Sequence, residues 1–192
     1  KILASYGLLA KMISLLRAFY TNFECSVILD NNNISEPFPV ETGVRQGCIL
    51  SPILFLVIID WIMKQTTSDK PRAIQWTLFT QLDDLDFADD LSLLSSRKQD
   101  LQEKTERLNT YSKQVGLNIS RKKTQVMTFG QTTPVNIELE GEDLDRVTAF
   151  TYLGSVISQD GGPECDIQSR LGKANGAFCV LHSIWKSKQI ST

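Results

Sequence analysis

Apolar residues recur at helical spacing through the opening segment KILASYGLLAKMISLLRAFY. Leu8, Leu9, Met12, Ile13, Leu15, Leu16 and Phe19 fall on one stripe, which predicts an amphipathic helix facing a core. Lys1, Lys11 and Arg17 interrupt the run and no small-residue cleavage site closes it, so it reads as neither a signal peptide nor a membrane span. The pattern then becomes β-branched. ECSVILD (24–30) predicts a strand, NNN (31–33) a turn, and PFPV (37–40) a returning strand that its prolines confine to an edge. Ser51 and Pro52 form an N-cap and first-turn pair, predicting a helix from there to about Gln65. Its apolar run PILFLVIIDWIM (52–63) is too short to cross a bilayer and contains Asp60.

Alternation continues downstream. TSDKP (67–71) is a polar loop and AIQWTLF (73–79) a strand. Residues 82–88 and 91–95 are two short strands joined at Asp89–Asp90. KQDLQEKTERLNTYSKQVG (98–116) is an amphipathic helix with Leu101, Leu108, Tyr111 and Val115 inward and Gly116 as its C-cap. TQVMTFG (124–130), NIELEG (136–141) and AFTYLGSVIS (149–158) add strands, and a last helix begins near Pro163. The class is α+β, with a small antiparallel sheet packed on helices.

Composition changes this picture little. At 192 residues, 42% hydrophobic and 22% charged, the chain matches an ordinary globular domain. A net charge of -2 gives no basic footprint for nucleic acid over the whole chain. Cys25, Cys48, Cys165 and Cys179 are widely spaced and His182 stands alone, which argues against zinc and for a reduced intracellular compartment, cytoplasm or nucleus.

The segment DLDFADDLSLL (85–95) carries the candidate chemistry. Asp89 and Asp90 adjoin between apolar runs, with Asp83, Asp84 and Asp86 just before them. Carboxylates so close repel one another and resist burial. A hairpin turn would set Asp89 and Asp90 at a rim, where Mg²⁺ could take one or two carboxylates together with waters and substrate phosphates. Aspartate is also common in plain solvated turns, and the dipeptide alone favours that reading.

Four blocks in order decide between them: GVRQGCILSP (43–52), FADD (87–90), GLNISRKKT (116–124) and FTYLGS (150–155). Together they resemble the reverse transcriptase palm of non-LTR (LINE-type) retrotransposons. The resemblance implies a palm-like sheet cut at both ends, with residues 1–158 a partial reverse transcriptase domain (end of fingers and palm) and 159–192 the start of the thumb or a connecting helix. It implies Asp89 and Asp90 as catalytic, metal-holding residues with Mg²⁺. Arg45, Gln46, Gly47 and Lys123 would contact the nucleotide, and Tyr152, Leu153 and Gly154 the end of the primer. The partners implied are RNA template, DNA primer and deoxynucleotide; no membrane is implied, and oligomeric state stays open.

Plainer roles stand beside these. The loop around Gln46 could merely cap a helix, Arg121 and Lys122 could be a solvated basic turn, and Tyr152, Leu153 and Phe150 could be core. Ser120 stands where the family usually has Asn. No F-x-D-x-x-K-A-F-D-like segment, the family's first catalytic block, occurs among the 192 residues; Asp30 and Asp60 do not replace its aspartate. Both ends read as cut from something longer, and the bare chain is expected not to extend a primer. A decayed, non-catalytic retroelement product with at most weak RNA binding is the alternative. A group II intron or retron polymerase fits the DGGPECDIQSRLGKANGAF stretch (160–178) less well.

Overall fold

The structure, a computed structural model, describes residues 1–29, 33–40, 43–68, 73–130 and 135–186. It divides into two compact units, residues 1–119 and 120–192.

In the first unit the opening segment forms two helices, α1 (Ile2–Ser5) and α2 (Ala10–Tyr20), separated at Gly7, whose φ is +80°. The stripe expected to face a core is covered only in part: Leu8, Ile13 and Leu16 are half-buried, while Leu9, Met12, Leu15 and Phe19 are all more than half exposed. The buried apolar set of this unit comes from α3 (Leu50–Thr67) and α4 (Lys98–Gln114) instead. Residues 24–30 pair over less than predicted. Strand β1 (Glu24–Cys25) runs antiparallel to β2 (Phe38–Pro39), with one isolated bridge between Ile28 and Ile34. Asp30, Asn31 and Asn32 lie outside the described residues, as does most of the loop predicted over 67–71.

Helix α3 begins at Leu50, so Ser51 is not its N-cap. Ser51 is buried inside the first turn and its hydroxyl donates to the Arg45 carbonyl. Pro52 is still in that turn, where a missing N–H costs nothing. At 18 residues α3 is long and apolar enough to cross a membrane, more than the run 52–63 implied. Its buried side chains Ile59, Ile62 and Met63 cluster with Leu108 of α4, and Leu91, Leu93, Trp61, Tyr111 and Val115 pack around them.

The strand expected over 73–79 stops early. Strand β3 (Ile74–Gln75) turns back onto β4 (Gln81–Leu82), because Thr77 Oγ1 accepts the N–H groups of Phe79 (3.3 Å) and Thr80 (3.0 Å) and closes a tight turn. Strands β5 (Asp84–Phe87) and β6 (Asp90–Leu93) follow as an antiparallel hairpin. Helix α4 ends as its sequence predicts. Gly116 takes φ +79°; its N–H reaches the Lys113 carbonyl (3.1 Å), and the Leu117 N–H reaches that of Ser112 (2.9 Å). These paired bonds form a Schellman cap.

The second unit holds β7 (Gln125–Val126), β8 (Glu138–Leu139), β9 (Glu142–Asp143), β10 (Asp145–Arg146), β11 (Ala149–Tyr152), β12 (Ser155–Ser158), α5 (Glu164–Val180) and α6 (His182–Trp185). Among the described residues, Val126, Ile137, Leu139 and Leu144 are its buried apolar side chains. Strands β8–β9 and β11–β12 are antiparallel hairpins, while β7 and β10 pair in parallel. The α+β class is as predicted. Among the described residues, though, the strands form separate two-stranded ladders and not one continuous sheet.

Candidate functional site

The carboxylate hairpin is the feature with the most specific geometry. Its register pairs Asp84 with Leu93, Leu85 with Ser92, Asp86 with Leu91, and Phe87 with Asp90. Ala88 and Asp89 form the two-residue turn, and Asp89 and Asp90 are both exposed. Cross-strand partners share a face. Leu91 and Leu93 therefore face the α3–α4 core together with Asp84 and Asp86, while Leu85, Phe87, Ser92 and Asp90 take the other face. Ala88 adopts φ +56°, a left-handed conformation that costs a residue with a Cβ about 1 kcal/mol. The strain lies beside the two aspartates, held by a hairpin packed on two helices.

Burial explains the upstream carboxylates. It pushes the Asp84 carboxyl above the ordinary carboxylate range; the nearby Asp86 charge adds to this, and Lys104 offsets part of it. A raised folded-state value means that ionising Asp84 weakens folding. Stability should therefore fall as pH rises from the ordinary carboxylate range through the raised one. Asp84→Asn is expected to raise the melting temperature at neutral pH. The gain should disappear near about pH 3, where the wild-type carboxyl is protonated. Thermal melts of both proteins across that range check it, and a pH-independent difference would sink the assignment.

Asp83 is neutralised by a residue the sequence pattern did not flag. Lys104 Nζ lies 2.6 Å from Asp83 Oδ1, and its side chain is fully buried. A signal existed: Leu101, Lys104, Leu108, Tyr111 and Val115 share the inward stripe of α4. A lysine at a core-facing position requires an internal partner.

The loop before α3 gathers Arg45, Gln46 and Gly47. Gly47 takes φ +81°, which lets the chain turn so that the Cys48 N–H reaches the Arg45 carbonyl (3.3 Å). These residues line a hollow of about 570 Å³ with Cys48, Ser51, Pro52 and Phe55. Asp89 and Asp90 are not part of that lining. Gln46 is exposed. Arg45 is not simply free to reach a phosphate. Its guanidinium carbon stands 3.9 Å from the centre of the Phe23 ring and 5.8 Å from that of Tyr20. Its Nε is buried without a hydrogen-bond partner among the described residues. Neither aromatic seat was legible in the sequence. Cys48, half-buried in the loop just before α3, has its thiol drawn below the ordinary range by a hydrogen bond from the Leu50 backbone.

The remaining predicted site residues belong to the second unit. Lys123 is exposed in a turn whose N–H groups at Lys123 and Thr124 both reach the Ser120 carbonyl at 3.0 Å. Arg121 is not merely solvated, because it pairs with Glu142 of β9. Tyr152 is half-buried, and Leu153 and Gly154 form the turn between β11 and β12, both at positive φ (+49° and +85°). Two further residues fix this hairpin. Asp166 accepts the Val156 N–H (2.8 Å), and Arg170 bridges Asp166 (2.7 Å) and the Ser155 hydroxyl (2.7 Å). The Val156 bond, helped by Arg170, holds the Asp166 carboxyl below the usual range.

Asp89 and Asp90 offer the hard oxygen donors that divalent Mg²⁺ prefers, in the number it commonly takes from protein. Among the described residues no group of three or more His, Cys, Asp or Glu side chains is placed to hold a metal.

Residues 5–157 match the family described as reverse transcriptase (RNA-dependent DNA polymerase). The chain is also 27% identical, over 132 residues, to a Popillia japonica protein named "Retrovirus-related Pol polyprotein from type-1 retrotransposable element R2". The alignment covers 64% of this chain and 22% of that protein, so the match spans about a fifth of the relative's length.

Proposed function

Since the chain belongs to the reverse transcriptase family, we propose that it is of the non-LTR retrotransposon kind and serves RNA-templated DNA synthesis. In that reaction the primer 3′-hydroxyl attacks the α-phosphate of a deoxynucleotide and pyrophosphate leaves. The observation that carries the reading is the β5–β6 hairpin, which sets Asp89 and Asp90 side by side and exposed at a turn braced by α3 and α4.

Reverse transcriptases generally use divalent metal ions. The finer assignment is to Mg²⁺, held through Asp89 and Asp90, which would offset charge on the nucleotide phosphates. The protein's own residues position the reactants. Gln46 and Gly47 supply polar groups to the nucleotide from the hollow before α3, and Arg45 shapes that hollow from its aromatic seat. Lys123 supplies a cation for the triphosphate. The Tyr152–Gly154 turn holds the primer end, kept rigid by Asp166 and Arg170. Residues 1–158 would thus provide the palm and the end of the fingers, and residues 159–192 the start of the thumb or a connecting helix. RNA template, DNA primer and an intracellular setting complete the proposal.

Gln46→Ala tests the nucleotide contact. Its loss is expected to raise KM for the deoxynucleotide about tenfold or more while kcat changes little, because a ground-state contact is removed. Steady-state primer extension, by a polymerase containing this domain, provides the measurement. An unchanged KM would remove Gln46 from the nucleotide site.

A further inference from the structure

Two hairpins of the second unit have turns suited to their geometry. Glu140–Gly141 and Leu153–Gly154 both adopt positive φ at both turn positions, and each carries glycine at the second. That is the type I′ pattern, which fixes strand register locally. The carboxylate hairpin has no such device. Its left-handed turn residue is Ala88, followed by Asp89, and no glycine or asparagine relieves the strain. Its turn residues therefore favour this register less strongly than those of the other two hairpins do. A slip by one residue would exchange the two faces, moving Leu91 and Leu93 off the core and re-aiming the aspartates.

Lys104 sits at the other end of the same hairpin. Its ammonium has three donors, and all three are used: on Asp83 Oδ1 (2.6 Å), the Asp83 carbonyl (3.0 Å) and the Leu94 carbonyl (2.7 Å). Asp83 and Leu94 face each other one step beyond the last ladder pair, and the Leu94 N–H reaches the Asp83 carbonyl at 2.9 Å. One buried charge from α4 thus grips a backbone carbonyl on each strand. Asp89 lies six residues along from Asp83. In an extended strand that is roughly 20 Å, beyond the reach of a screened direct charge effect. An influence of Lys104 on the aspartates therefore passes through the structure of the hairpin and not directly through its charge.

We propose that Lys104 is the positioning residue of the carboxylate hairpin, fixing from the open end the register that presents Asp89 and Asp90 at the turn. The functional meaning of this role rests on the assignment of those two aspartates to metal above; the register control itself does not.

The test uses the 192-residue chain with Lys104→Met, which keeps the volume and removes the charge. It also uses Lys104→Met/Asp83→Leu, in which no buried carboxylate is left alone. Replacing both partners of a buried pair by apolar groups is often neutral for folding, so the double variant is the one expected to fold in any case. Amide hydrogen exchange is read separately for 84–93 and for α3 and α4. Register control predicts that exchange in 84–93 accelerates about tenfold or more in both variants while α3 and α4 stay protected. Uniform acceleration or loss of fold in both variants would make Lys104 a general stability element, and no acceleration would leave it without a role in the hairpin; each of these would overturn the proposal. Mn²⁺ added as a paramagnetic probe gives the second reading. In the wild type, line broadening is expected to centre on the amides of Ala88–Leu91, and in the double variant to weaken at least about threefold at equal Mn²⁺. Equal broadening in both would overturn the proposal. Broadening absent from the wild type would count against the metal assignment alone, and exchange would then decide the role of Lys104.

Discussion

Asp89→Ala is expected to abolish RNA-templated primer extension by a polymerase that contains this domain together with a strand supplying the facing aspartate. The Asp89 side chain is exposed on the turn of the β5–β6 hairpin, so its truncation should leave stability within about 0.5 kcal/mol of wild type. Chemistry should suffer far more. If Asp89 holds a metal that neutralises developing phosphate charge, its loss removes an interaction made in the transition state. The expected cost is on the order of 10³-fold or more in kcat. Asp89→Asn keeps the shape and removes the charge, and should fall almost as far. The assay is templated extension with Mg²⁺, read beside an unfolding curve for each variant. Activity surviving Asp89→Ala with an unchanged fold would end the catalytic assignment. The 192-residue chain by itself is expected to give no extension, since it contains no segment like the family's first catalytic block.

The second large effect concerns stability. Ile62 is completely buried at the centre of the α3–α4 cluster, beside Ile59, Met63 and Leu108. Ile62→Ala should destabilise the first unit by about 3 kcal/mol, through lost transfer free energy plus the cavity left behind. Leu91 and Leu93 of the carboxylate hairpin pack against the same cluster, so the loss should reach the hairpin as well. Urea denaturation gives the measurement. A change under about 1 kcal/mol would mean that the cluster is not the core of this unit.

Much of the first unit was legible in the chain because local rules and packing agree there. The stripe of α4, its Gly116 cap and the hairpin around Asp89–Asp90 all appear near their predicted positions. Other elements followed competing local chemistry. Ser51 resembles an N-cap, yet the helix starts at Leu50 and the hydroxyl turns back to the Arg45 carbonyl. The β-rich run after Ala73 was cut short by Thr77, whose hydroxyl closes a turn that propensity does not register. The stripe of α2 is a true helical pattern, but periodicity says only that a face is apolar, and among the described residues that face remains largely exposed.

The candidate site divides in the same way. Sequence alone supplied the candidates for chemistry, because the identity and order of the blocks around Gln46, Asp89, Lys123 and Tyr152 are properties of the chain itself. It also determined the hairpin, since alternating apolar residues on both sides of two aspartates leave few other local structures. Only the tertiary structure decided what stabilises those residues. The seat of Arg45 between Tyr20 and Phe23, the Asp166–Arg170 brace on the second hairpin, and the burial of Lys104 on Asp83 and Leu94 join residues distant in sequence. Periodicity could place Lys104 on the inward face of α4, but not name its partners. A buried ammonium must find three acceptors, and which carbonyls lie within reach is fixed by how α4 packs against the hairpin.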